Sequence, residues 1–122
     1  MRTIDTDEHL AEGLAHLVRA DRRMERVMAT AGVVGLRRRE AGFAGLARII
    51  VGQQLSVASA SAIWERFAAM FPEMTPDAVY RARAPRFRKA GMSAAKTKAL
   101  RAISASGRDG LGLAALATAP AE

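Results

Sequence analysis

Between Phe43 and Phe71 two apolar stripes at helical spacing follow each other with almost nothing between them. Phe43, Leu46, Ile50 and Gln54 recur every three or four residues, so an apolar face runs into a pair of glutamines. Ser56 comes next, and its hydroxyl can accept an orphan amide of the helix it opens. Ala60, Ile63, Trp64, Phe67 and Phe71 then repeat the same spacing, predicting a second helix that buries them. The stretch predicts a sharp helix–turn–helix over about residues 41–71, with Gln53, Gln54 and Leu55 at its corner. Ile49-Ile50-Val51 alone would suit a short strand, since β-branched residues favour one, but helical periodicity continues unbroken on both sides. By itself the corner is also consistent with a polar connection between two core helices.

The rest of the chain extends the helical pattern. Thr6 or Asp5 caps a first helix with a buried stripe of Leu10, Leu14, Leu17 and Val18, and Asp7 and Glu8 suit its first turn. His9, Glu12 and His16 share the opposite, solvent-facing side, which speaks against a metal site. Asp21 caps a second helix that buries Met24, Val27 and Met28 and ends at Gly32. Arg37-Arg38-Arg39 follows as a charged connection, free to be merely solvated or to touch phosphate. After Pro72, Thr75-Pro76 starts a short helix, another runs from about Pro85 to Gly91, and Ser93 caps a longer one to about Ser106. That helix buries Leu100 and Ile103, displays Lys96, Lys98 and Arg101, and is broken by Gly107, Gly110 and Gly112. A last helix starts at Leu111 or Leu113. The expectation is one all-α domain over 1–122, a partial bundle of seven or eight helices. Few aromatics and abundant alanine fit close-packed helices. Gly110-Leu-Gly112-Leu-Ala-Ala115 matches a dinucleotide-binding pattern superficially, but that motif needs a preceding strand.

Charge placement narrows the partners. Residues 1–61 are near balance, whereas residues 78–108 carry nine cations and no acid: Arg81, Arg83, Arg86, Arg88, Lys89, Lys96, Lys98, Arg101 and Arg108. A one-sign block suits a polyanion, nucleic acid first and an anionic membrane second. No segment joins a basic face to a bulky apolar one, which weighs against the membrane. There is no cysteine, so disulfides, thiolate metal sites and Cys nucleophiles are excluded. No apolar run is long enough to span a bilayer, the N-terminus is too acidic for a secretory signal, and a cytoplasmic location is expected.

Ile49-Ile-Val-Gly-Gln-Gln-Leu-Ser-Val57, followed by an Ala/Ser-rich helix, resembles a segment of the alkylated-base DNA glycosylases. These form the 3-methyladenine DNA glycosylase II branch of the helix-hairpin-helix (HhH-GPD) superfamily. Arg88-Lys-Ala-Gly-Met-Ser-Ala-Ala-Lys-Thr-Lys-Ala-Leu100 resembles the family's next block of Gly, Ser and Lys leading into a helix, in the same order and at a similar separation. The resemblance implies base-excision repair: a monofunctional enzyme that flips alkylated purines such as 3-methyladenine out of duplex DNA and hydrolyses the N-glycosidic bond. Flipping leaves a hole in the stack, and the family fills it from the corner that Gly52–Ser56 resembles. Gln54 matches the wedge position most closely, with Leu55 the competing residue. The implied DNA contacts are Gln53, Gln54, Leu55, Ser56, Lys96, Lys98 and Arg101; no cofactor or metal is implied.

The resemblance covers only the family's N-terminal portion. The family's Leu-Pro-Gly hairpin and the segment ending in its catalytic aspartate would lie beyond residue 122, so no catalytic residue is assigned within the chain. Glu65 and Asp77 belong to ordinary helix surfaces or starts, and the Schiff-base lysine of bifunctional relatives lies in the hairpin, so Lys96 does not inherit that role. The chain alone is therefore expected to be inactive. With Leu111, Leu113 and Leu116 lacking helices to pack on, it is also expected to self-associate or to be locally disordered near the C-terminus. Two other readings stand beside this one. One is a non-catalytic DNA-binding module with Gln53–Ser56 as an ordinary helix–turn–helix; the other is a helical interaction protein that binds no nucleic acid.

Overall fold

A computed structural model describes residues 3–110 and 112–119, and the chain divides into two compact units, Met1–Arg38 and Arg39–Glu122. Every regular element among the described residues is helical, as the spacing predicts.

The first unit holds α1 (Asp7–Ala20) and α2 (Arg23–Ala31). Thr6 Oγ1 accepts the His9 amide at 3.2 Å, so threonine rather than Asp5 caps α1. Asp21 accepts the Arg23 amide at 2.9 Å and the same residue's guanidinium at 2.6 Å. The guanidinium first, and then the amide, hold the Asp21 carboxyl below its ordinary range. Past Gly32 the extended tail returns to α1, where Asp7 accepts the Leu36 amide at 3.1 Å and Asp5 accepts Arg38 at 2.5 Å. The apolar stripes are not buried as their spacing predicts. Leu10, Leu14, Val18, Met24 and Met28 are half-buried, while Leu17 and Val27 are 46% and 52% exposed. Two helices of 14 and 9 residues have too little surface to enclose a core.

The second unit supplies the core. It contains α3 (Phe43–Gly52), α4 (Val57–Met70), α5 (Pro76–Arg81), α6 (Ala84–Ala90), α7 (Ala94–Arg108) and a 3-10 turn at Leu113–Ala117. Helix α3 packs on α4 and α7, α4 on α6, and α5 along α7. Phe67 is the hub, with Trp64, Phe71 and Phe87 rings centred 5.8, 4.8 and 6.1 Å away in tilted contact. Val51, Val79, Ala90 and Leu100 close around them. Of the α4 stripe, Phe67 and Phe71 are buried, whereas Ala60, Ile63 and Trp64 are half-buried. Among the described residues the two buried polar side chains, Thr97 and Ser104, bond to the Ser93 and Leu100 carbonyls one turn back.

Two boundaries differ from expectation. Helix α7 runs through Gly107 to Arg108 instead of breaking there, with Pro76 of α5 packed close against Gly107. A Cβ on Gly107 would lie 2.8 Å from Pro76 Cγ and 3.3 Å from Leu113 Cδ1. Leu113, expected to lack a partner, is instead buried in the core. Leu116 is 54% exposed, and Leu111 and residues 120–122 lie outside the described residues, so the expected final helix is seen only as the 3-10 turn.

Candidate nucleic-acid interface

Helix α3 ends at Gly52 and α4 opens at Val57, leaving four residues to reverse the chain. Gln53 caps α3 with its amide on the Ile50 carbonyl at 3.3 Å, and the Leu55 amide reaches the Gly52 carbonyl at 3.4 Å. Ser56 accepts the Ser59 amide at 3.2 Å and donates to the Ser59 hydroxyl at 3.0 Å, so its predicted capping role is seen directly. Gln54, between them, sits at φ 57, the one non-glycine residue in the left-handed region among those described. Its side chain is exposed and makes no hydrogen bond to the described residues. Leu55 is 38% exposed, only partly packed under the turn.

The corner is clamped from below. Lys96 Nζ donates to the Val51 carbonyl at 2.7 Å, a carbonyl that the end of α3 leaves without a helical partner. A cation at a helix C-terminus also meets the negative end of the backbone dipole. Sequence spacing predicts Lys96 on display with Lys98 and Arg101. The structure makes it half-buried and commits it to the turn, 45 residues away in the chain.

Beside the corner lies a cleft of about 360 Å³ lined by Arg39, Arg48, Ile49, Gly52, Gln53, Leu55, Val57, Ala60 and Ser61. Arg48 stands 5.8 Å from the centre of the Trp64 ring, a cation–π contact that joins α3 to α4. The cleft has an apolar mouth: Val57 is 85% exposed and Ile49 46%. No carboxylate lines it. Arg48 carried no signal in the sequence, and Arg39 only the open one of the Arg37-Arg38-Arg39 connection; the fold brings both to the cleft beside Gln53.

The acid-free block is also sorted by the fold. Asp77, immediately upstream, holds Arg81 and Arg108 at 2.9 Å each. Arg108 lies 4.4 Å over Tyr80; Arg86 lies 4.4 Å over Phe71 and donates to the Met70 carbonyl. With Lys96 on Val51, four of the nine cations serve the fold. Lys98 and Arg101 are exposed and line a different groove, so the structure groups Gln53, Gln54, Leu55, Ser56 and the Lys96 ammonium, and sets Lys98 and Arg101 apart.

A wholly helical unit with a clamped glutamine corner and a surplus of outward cations has the build of a DNA-handling protein. The family model of HhH-GPD superfamily base excision DNA repair proteins matches residues 47–107, half of the chain, and the chain belongs to that superfamily. No curated protein matches it. The match begins inside α3 and ends inside α7, so it takes in the corner and both helices of the basic groove. Proteins of this family bind DNA in base excision repair and are generally DNA glycosylases.

Proposed function

We propose that the chain serves the removal of alkylated purines such as 3-methyladenine, as part of a monofunctional N-glycosylase, and that Gln54 is the residue that enters the base stack. The supporting observation is Gln54 itself: an unbonded, exposed amide held in a left-handed turn whose two flanks are fixed by Lys96 and Ser56. Extruding a nucleotide costs a few kcal/mol of stacking. A flat side chain that is already ordered recovers part of that, and its amide can bond the base left without a partner. Gln53 and Leu55 flank the insertion, and the cleft beside them faces the displaced nucleotide. Glycosidic hydrolysis also needs a carboxylate to activate water or to stabilise charge on the sugar; the cleft lining offers none, so that acid comes from elsewhere.

The helix–turn–helix alternative is less well supported. Val57, Ala58 and Ser59 open α4, and of these only serine can bond a base edge.

Glycine keeps a left-handed turn without a side chain, so Gln54→Gly isolates the wedge. The wild-type chain should prefer a duplex containing an abasic gap over an intact one, and Gln54→Gly should lose that preference by roughly tenfold with its melting temperature unchanged. Equal affinity of the wild-type chain for both duplexes would defeat the proposal.

A further inference from the structure

Five cations of the acid-free block, Arg83, Arg88, Lys89, Lys98 and Arg101, have no acceptor among the described residues. Three of them converge. Ala84 and Arg88 lie one turn apart on α6, while Ala94, Thr97, Lys98 and Arg101 share one face of α7. These six residues line a groove of about 450 Å³ that has no residue in common with the corner cleft. Its small residues, Ala84, Ala94 and Thr97, let a ligand approach closely, and the Thr97 hydroxyl is already committed to the Ser93 carbonyl at 3.0 Å. Neither α6 nor α7 contains an acid, and Asp77 is taken up by Arg81 and Arg108. Like charges gathered without counter-charge repel one another, so the groove is stabilised by whatever anion fills it.

We infer that the α6–α7 groove is a track for the phosphodiester backbone of DNA, away from the corner that enters the base stack, a role that rests on the DNA reading above. The lining's side chains offer hydrogen-bond donors and small apolar surface, with Thr97 Oγ1 the one side-chain acceptor among them. Phosphate oxygens only accept, so a backbone strand is satisfied there. An acidic peptide would bring a row of amide donors for which Thr97 Oγ1 is the one side-chain acceptor. Arg88 on one wall, with Lys98 and Arg101 on the other, suits a strand running along the groove better than a single ion. The track gives a grip independent of sequence and lesion, holding the duplex while the corner samples the bases.

The test measures binding of the 122-residue chain to a short, labelled, undamaged duplex across a salt series. Arg88→Gln/Lys98→Gln/Arg101→Gln is compared with Arg19→Gln/Arg22→Gln/Arg26→Gln, which removes equal charge from exposed positions of α1 and α2 and the turn between them. All six side chains are exposed, and circular dichroism checks the fold. The groove variant should bind at least about tenfold more weakly, with the slope of log affinity against log salt shallower by about 2 to 3, since each phosphate contact contributes about 0.9. The control should keep the wild-type slope. Equal losses in both variants would reduce the effect to net charge and overturn the groove. A groove variant with the wild-type slope would overturn it while leaving DNA binding intact. Loss of binding to an oligoglutamate peptide with DNA binding untouched would reassign the groove to a protein partner. Absence of salt-dependent binding by the wild-type chain would end the DNA reading and the groove together.

Discussion

Left-handed backbone costs a side-chain-bearing residue roughly 1–2 kcal/mol, and glycine avoids that cost, so a glutamine at φ 57 is conspicuous. The four-residue turn needs the conformation, and glycine would supply it more cheaply; what glutamine adds is the exposed amide. Lys96 is the complementary case, a charged residue whose role is support. Replacing it with methionine keeps the stem but strands the Val51 carbonyl. An unsatisfied buried acceptor costs about 1–3 kcal/mol, so Lys96→Met should lower stability by that order in urea unfolding. It should also weaken the preference for a gapped duplex by loosening the corner. Lys98→Met, at an exposed position two residues after Lys96, should leave stability unchanged. Gln54 at the corner was legible from spacing and resemblance. The Lys96 clamp was not, because nothing local relates residues 45 apart.

Among the elements, α7 shows most clearly how packing overrides local preference. Glycine in a helix interior is unfavourable by roughly 1 kcal/mol against alanine, and Gly107, Gly110 and Gly112 together read as a break. Helix α7 nevertheless continues through Gly107, because the missing Cβ admits Pro76 at the start of α5 and Leu113 from the 3-10 turn. Gly107→Ala improves helix propensity yet places a methyl 2.8 Å from Pro76 Cγ. Overpacking of this kind costs about 1–3 kcal/mol, which outweighs the propensity gain, so thermal melting should show net destabilisation. A higher melting temperature would mean that the α5–α7 seam yields freely. At α5, α6 and α7 the end signals are local: Thr75 accepts the Ala78 amide at 3.2 Å ahead of Pro76, Ser93 accepts the Lys96 amide at 3.3 Å, and Gly91 ends α6 in the left-handed region.

At the scale of the whole molecule, the second unit closes a core around Phe67 and presents two surfaces, the clamped corner and the α6–α7 groove, neither lined by a carboxylate. The purified 122-residue chain should therefore release no 3-methyladenine from methylated DNA when the supernatant is analysed by chromatography, even under conditions in which it binds. Measurable release would place the chemistry within residues 1–122. Leu113, buried against the unit's own helices, removes one of the three leucines that suggested self-association, while Leu116 keeps an apolar side chain in solvent. By itself the sequence determined the helical class, the approximate starts of α1 and α3–α7, the caps of α1, α4, α5 and α7, the corner with its two glutamines, and the excess of cations after residue 78. These depend on spacing, capping chemistry and charge within a few residues of one another. Tertiary structure alone decided that the stripes of α1 and α2 are at most half-buried, that Gly107 is a contact and not a stop, and that Lys96 clamps the corner. It alone divided the cations into those that hold the fold and those left without an acceptor among the described residues. Burial, close approach and ion pairing depend on which distant surfaces meet, and a local pattern does not specify that.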